Sequence, residues 1–172
     1  LEFSSYIAKK ISGPVQEMVN AIMPIAIDEV QTTSDKMPDM QVFIKKYAEI
    51  FTREYVQSSK GQLKQITNIA INDGLDPAEA ITARLDEWEE KRPGKIGMNE
   101  SIACSNAIAK AVFVGAGITK LIWSANGDES CPFCQDLDGQ VVGIEGRFAT
   151  SGLSAAATPP IHEGCCCQVV PV

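Results

Sequence analysis

The last quarter of the chain holds five of its six cysteines and its only histidine. They fall in two groups: Cys131-Pro132-Phe133-Cys134 and, after a polar, glycine-rich interval, Pro159-Pro160-Ile161-His162-Glu163-Gly164-Cys165-Cys166-Cys167. Free cysteine is an ordinary small apolar core residue, and that accounts for Cys104, which sits on a helical pattern. It does not account for five cysteines gathered around one histidine. A tetrahedral zinc ion needs four soft or borderline donors, and two cysteines separated by two residues reach one ion from a tight turn. Pro132 suits the turn, since its φ is fixed and it has no N–H to leave unsatisfied. His162 and Cys165 repeat the spacing, so a C-x-x-C followed by an H-x-x-C predicts a structural zinc site. The expected ligands are Cys131, Cys134, His162 and Cys165, with Cys167 as the alternative ligand. In an extended segment Cys165 and Cys167 point to one face and Cys166 to the other.

Two other uses of paired cysteines fit less well. A disulfide framework belongs to small secreted domains, whereas this chain has 172 residues, most of it cysteine-free, and opens on no signal-peptide pattern. A thioredoxin-like pair, hinted at by Trp123 ahead of Cys131, should open a helix after an early strand of an α/β unit. Here Leu137-Asp138-Gly139-Gln140 follows at once and reads as a turn, and too little chain remains to build the sheet.

Apolar residues make up 45% of the chain, enough for one domain with a sizeable core or a small domain with a helical extension. No apolar stretch approaches the roughly 20 residues that a spanning helix needs, so no membrane partner is expected. The formal charge of −7 argues against a surface that neutralises phosphates, so no sequence-specific nucleic-acid binding is expected. The chain opens on leucine, as expected of a fragment of a longer polypeptide.

From about Ser5 to Thr33, Ile7, Ile11, Val15, Met18, Ile22, Ile25 and Val30 trace one helical face. Ser12-Gly13-Pro14 and Pro24 predict a break or kink in it. Asp35 to Asp39 reads as a loop. A second helix is predicted through Val42, Phe43, Tyr47, Ile50, Phe51 and Tyr55, past Gly61, to a stop at Asn72-Asp73-Gly74. Asp76-Pro77-Ala78-Glu79 is a helix start with an N-cap and proline at the first position. That helix should bury Ile81, Leu85 and Trp88 and end before Pro93-Gly94. A further helix is expected from about Met98 to Gly115, with Ile102, Ile108 and Val112 buried and Glu100 in its first turn. Ile118 to Trp123, Gln140 to Ile144 and Cys166 to Val170 read as strands of a small sheet that brackets the metal, with Thr150 to Thr158 a loop between the two halves of the site. The expected fold is therefore α+β: a mostly helical region over 1–92, then a zinc-stapled, β-containing unit over 93–172.

The succession Asn99-Glu100-Ser101, a helix, Gly117 to Trp123, Cys131 to Val141 and Pro159 to Cys167 resembles the phage Mu F-like head morphogenesis family, the minor head proteins of tailed phages. The likeness covers roughly the last 75 residues in order and spacing. It departs at Glu163-Gly164 and Cys166, where the family commonly has proline, asparagine and arginine, and this puts a third cysteine at the site. The resemblance implies a minor capsid protein, present in the head interior or at the portal vertex of the virion and in the host cytoplasm during assembly. Its implied partners are the phage portal protein, the major capsid protein, or both.

The alternative is a zinc-stabilised HNH-like nuclease. Such an enzyme needs a histidine general base beside further ligands of a catalytic ion. If His162, the sole histidine, ligates zinc, it is not free to act as that base. Three thiolates and a histidine also leave zinc no open position for water. The expectation is therefore a structural protein and not an enzyme.

Overall fold

The structure is a computed structural model that describes residues 2–126 and 131–172. Helix α1 spans Glu2–Glu29, a 3-10 turn Ser34–Lys36, α2 Met40–Asn72 and α3 Pro77–Gly115. Strand β1 (Lys120–Ser124), the short helix α4 (Pro132–Leu137), β2 (Val141–Gly143) and β3 (Gln168–Pro171) follow. The fold is a mostly helical α+β arrangement with a small three-stranded antiparallel sheet.

The long helices begin and end where local chemistry directs. The Asp39 carboxylate accepts the Gln41 N–H at 2.9 Å and the Asp76 carboxylate accepts the Ala78 N–H at 2.8 Å, each satisfying a donor with no intrahelical partner. At the end of α2, Gly74 takes φ +70° and lets the Leu75 N–H reach the Ala70 carbonyl at 2.8 Å. The helices then pack as a bundle, α1 against both α2 and α3, with Val15, Val19, Ile44, Cys104 and Ile108 as its buried centre.

Four expectations are corrected here. Helix α1 is unbroken through Pro14 and Pro24, and α3 is unbroken through Pro93. The two helices expected on either side of Pro93-Gly94 are thus one, and residues 92 and 93 lie inside it. An interior proline costs about 3 kcal/mol, and contacts on either side hold the helix together. The Arg92 guanidinium lies 3.4 Å over the Trp88 ring and 5.2 Å from that of Tyr55, and its Nη1 donates to Ser59 Oγ. Trp88 is accordingly a half-buried ring under Arg92, not core, and Leu85 is exposed. Between Thr52 and Cys104, Ala70 is the one buried residue among those described. In α1, Ile25 is 65% exposed and Ala26 is buried; Val15, Val19, Ile22 and Ala26 keep steps of four, three and four along one face, and Ile25 falls off it.

The chain leaves α3 through Gly115-Ala116-Gly117, where Gly117 has φ +83°. Strand β1 forms the middle of the sheet, in the order β2-β1-β3, with Leu121 opposite Val142 and Trp123 opposite Val169. The three strands lie close to where they were expected. Leu121 and Trp123 point into a second core with Ala26, Val112, Phe113, Leu137, Phe148 and Val169. Cys134, Cys165 and Cys167 belong to the same core, so the ligand cluster is built into the packing that joins sheet to helices.

One close approach fixes how the 3-10 turn sits on α3. A Cβ at Gly115 would lie 2.9 Å from the Lys36 carbonyl oxygen and 3.0 Å from Pro38 Cδ. Gly115→Ala is therefore expected to destabilise the fold by about 1–3 kcal/mol through overpacking, seen as a lower denaturant midpoint at unchanged slope. A midpoint equal to wild type would show that the turn yields freely.

Candidate metal centre

Helix α4 is inserted between β1 and β2 and carries the first half of the cluster. Cys131 is its N-cap and Pro132 its first residue, so the C-x-x-C opens a six-residue helix where a turn was expected. The following turn is as expected: Gly139 takes φ +76°, the Gln140 N–H reaches the Leu137 carbonyl at 2.9 Å, and the Gly139 N–H reaches the Trp123 carbonyl at 2.9 Å. Asp138 Oδ1 accepts the Ala125 N–H at 2.8 Å, and Leu137 is fully buried. These bonds tie the helix that bears Cys131 and Cys134 to the middle strand. The sheet it joins is antiparallel, unlike that of a thioredoxin-like unit.

The second half arrives from a distant part of the chain. His162 Nε2 lies 2.9 Å from Cys131 Sγ and 3.1 Å from Cys134 Sγ, and the two sulfurs are 3.4 Å apart. His162 Nδ1 is 2.8 Å from the Glu163 carbonyl oxygen. Donating its proton there leaves Nε2 with a lone pair aimed at the sulfurs, the tautomer that a metal ligand needs. A turn with Gly164 at φ +78° brings the Cys165 N–H to the His162 carbonyl at 3.3 Å. Cys165 Sγ then lies 3.9 Å from Cys134 Sγ.

Two groups of three donors result, Cys131, Cys134 and His162, and Cys134, Cys165 and Cys167; within each, all ligand atoms lie within 4.8 Å of one another. Cys134 belongs to both. All five expected residues, Cys167 included, are thus brought to one place. Cys165 and Cys167 are both 2% exposed and Cys166 is exposed, as the alternation of an extended segment requires. None of the six cysteines is paired in a disulfide.

Ionising these thiols together would need a cation among them. Burial pushes the Cys134 thiol up, with Cys167 and Cys131 adding to it. Burial likewise raises Cys167, with Cys165 adding to it. Desolvation also opposes ionisation of Cys131, but hydrogen bonds from the Cys134 backbone and thiol and the nearby His162 hold it below the ordinary thiol value. Several thiolates cannot share so dry a site unless a positive ion joins them. The buried indole N–H of Trp123 makes no hydrogen bond at bonding distance, yet it lies close enough to Cys167 to favour the ionised sulfur. An orphaned donor beside a thiol is well placed once that thiol becomes a metal-bound thiolate.

Sequence reading missed the residues that hold the ligand segments. Asn106 is buried and bonds to both Cys167 and Val169, Asn99 bonds to Gly164, and Asn126 bonds to Cys166. An amide among the apolar side chains of an alanine-rich helix was the available signal for Asn106. Glu100 is also corrected: it lies well inside α3, where its carboxylate accepts the Tyr47 hydroxyl at 2.5 Å.

Glu100 has a consequence for pH. Burial raises its pKa above the ordinary 4.5, Glu54 adds to the rise, and the Tyr47 hydroxyl opposes it. A carboxyl with a raised folded pKa stabilises fully below the unfolded value, and that stability is lost as pH rises through the folded value. Glu100→Gln removes this loss, so its melting temperature should gain on wild type between pH 4 and pH 7. A difference that stays flat or reverses over that range would show that the Tyr47 bond outweighs burial.

Fold and site together define a mostly helical α+β chain whose β-bearing end encloses a cysteine and histidine cluster that can hold a metal ion. Compared with known proteins, the chain matches no family model, no curated protein and no solved structure.

Proposed function

We propose that the cluster is a structural zinc site and that the chain is a minor head protein of a tailed phage. The zinc reading is carried by one observation: two segments some 30 residues apart converge so that His162 Nε2 stands 2.9 and 3.1 Å from the Cys131 and Cys134 sulfurs. Thiolate sulfur and imidazole are the donor set zinc prefers. The proposed ligands are Cys131, Cys134, His162 and Cys165, with Cys167 as the alternative to Cys165. Zinc so held clasps the segment between α4 and β3 at both ends and runs no reaction. His162 has Nε2 turned to two sulfurs and Nδ1 to a backbone carbonyl, and neither nitrogen is free to act as a base.

The assembly role rests on the order of residues shared with the Mu F-like head morphogenesis proteins. A partner surface would be sought among the exposed apolar side chains of the helices, where Phe3, Tyr6 and Ile25 on α1, and Ile69 and Ile71 on α2, are each at least half exposed. The proposed partners are the portal or major capsid protein, in the head interior or at the portal vertex. No helix among the described residues is long and apolar enough to cross a membrane.

Metal analysis of the purified chain tests the site: about one zinc per chain is expected, lost in His162→Ala together with part of the stability of the C-terminal unit. Metal-dependent plasmid cleavage that vanishes in this variant while zinc is retained would replace the structural reading with the nuclease. Co-purification with portal or major capsid protein tests the role, and a chain that binds neither would overturn it.

A further inference from the structure

Helix α3 presents Asn99 and Asn106, seven residues or about two helical turns apart, on one side. Both side chains reach the segment that carries the second half of the metal centre. Asn99 Oδ1 accepts the Gly164 N–H at 3.1 Å, inside the turn between His162 and Cys165. Asn106 is 4% exposed; its Nδ2 donates to the Cys167 carbonyl at 3.2 Å and to Ile102 at 2.9 Å, and its Oδ1 accepts the Val169 N–H at 2.8 Å.

The Asn106 bonds follow from the sheet. Among the described residues, strand β3 pairs with β1 on one edge only. Val169 stands opposite Trp123, but its N–H turns away from β1 to the other edge, where Asn106 takes both this N–H and the Cys167 carbonyl. One buried amide therefore does there what a neighbouring strand would do, and it does so at the last of the clustered cysteines. From the opposite side Asn126 Nδ2 donates to the Cys166 carbonyl at 3.3 Å, and Cys166 Sγ donates to the Asn126 carbonyl at 3.2 Å.

We propose that Asn99 and Asn106 are positioning residues for the metal centre: they hold the His162 to Cys167 segment on α3 in ligating posture before an ion arrives. The inference rests on reading the cluster as a metal site. Half of that site is then templated by a helix of the bundle, and the other half by β1 through α4. The ion closes a site already built. Loss of partners that orient ligands typically weakens metal binding about 10–100-fold.

The test uses the full chain, Zn2+ and Co2+ as probes, and Asn106→Leu and Asn99→Ala as variants. In zinc-free wild type, the Val169 amide should be protected from hydrogen exchange, and Asn106→Leu should remove that protection while helix content is kept. Zn2+ affinity by chelator competition should fall about 10–100-fold in Asn106→Leu, and less in the milder Asn99→Ala. A freely exchanging Val169 amide in zinc-free wild type would overturn the inference, and so would equal Zn2+ affinity in wild type and Asn99→Ala should Asn106→Leu not fold. Unchanged affinity in both variants overturns the inference alone. A wild type that takes up neither Zn2+ nor Co2+ overturns the metal reading and this inference with it.

Discussion

Replacing Cys134 by serine is expected to abolish metal binding and loosen the β-bearing end of the molecule while leaving the three long helices folded. Cys134 is the residue common to both groups of three donors, so no subset of the remaining four reproduces either group. It is also 3% exposed, within the core shared by Leu121, Trp123, Leu137 and Phe148. A structural zinc adds stability to the fold that binds it, on top of the roughly 5–15 kcal/mol that a whole domain has in hand. The helices have a separate buried centre at Val15, Val19, Ile44, Cys104 and Ile108. Bound metal per chain should fall from about one to near zero, far-UV helicity should persist, and limited proteolysis should cut first beyond β1. Full metal content in Cys134→Ser would mean that this sulfur does not belong to the site.

The second large effect is expected from Phe148→Ala. Phe148 is fully buried and meets the Trp123 ring edge-on, with centroids 5.2 Å apart and planes at 66°. Its backbone is paired with Ala156 in an isolated bridge, so the chain cannot easily collapse into the space left by the ring. Truncating such a phenylalanine costs about 3–5 kcal/mol from lost burial and the cavity that remains. The measurement is urea unfolding followed by tryptophan emission in a Trp88→Phe background, where Trp123 is the sole reporter. Phe133→Ala is the control: that ring is 40% exposed, and its loss should change stability by no more than about 0.5 kcal/mol. A Phe148→Ala cost below about 1 kcal/mol would mean that the second core repacks or carries little of the fold.

Much of the site was legible before any coordinates, because ligand chemistry is a matter of residue type and short spacing. Cys131 and Cys134 stand within one turn of chain, as do His162 and Cys165, and local geometry limits how such pairs can point. The burial of Cys165 and Cys167 and the exposure of Cys166 followed from the same alternation. That the two pairs meet required the sheet to bring α4 and the β3 approach together. Asn106 could not be read as a clamp from its neighbours in sequence, because its partners lie more than 60 residues away.

The helices divide in the same way. Asp76 and Gly74 marked helix ends correctly because a cap or an αL residue acts on the turn it belongs to. Pro14, Pro24 and Pro93 did not break their helices, as their local cost weighed without the packing on either side of them would predict. Trp88 and Leu85 misled in the opposite direction: an apolar stripe says which face would be buried, not whether anything lies against it.

The sequence by itself determined the inventory of donors, the caps, the strands and the α+β class, since each of these depends on residues within a turn or two of one another. Tertiary structure alone decided that α3 runs unbroken through Pro93, that Glu100 sits against Tyr47, and that Asn99 and Asn106 grip the ligand segment. Those outcomes depend on contacts between distant parts of the chain, and there the summed energy of packing exceeds the preference of any single residue.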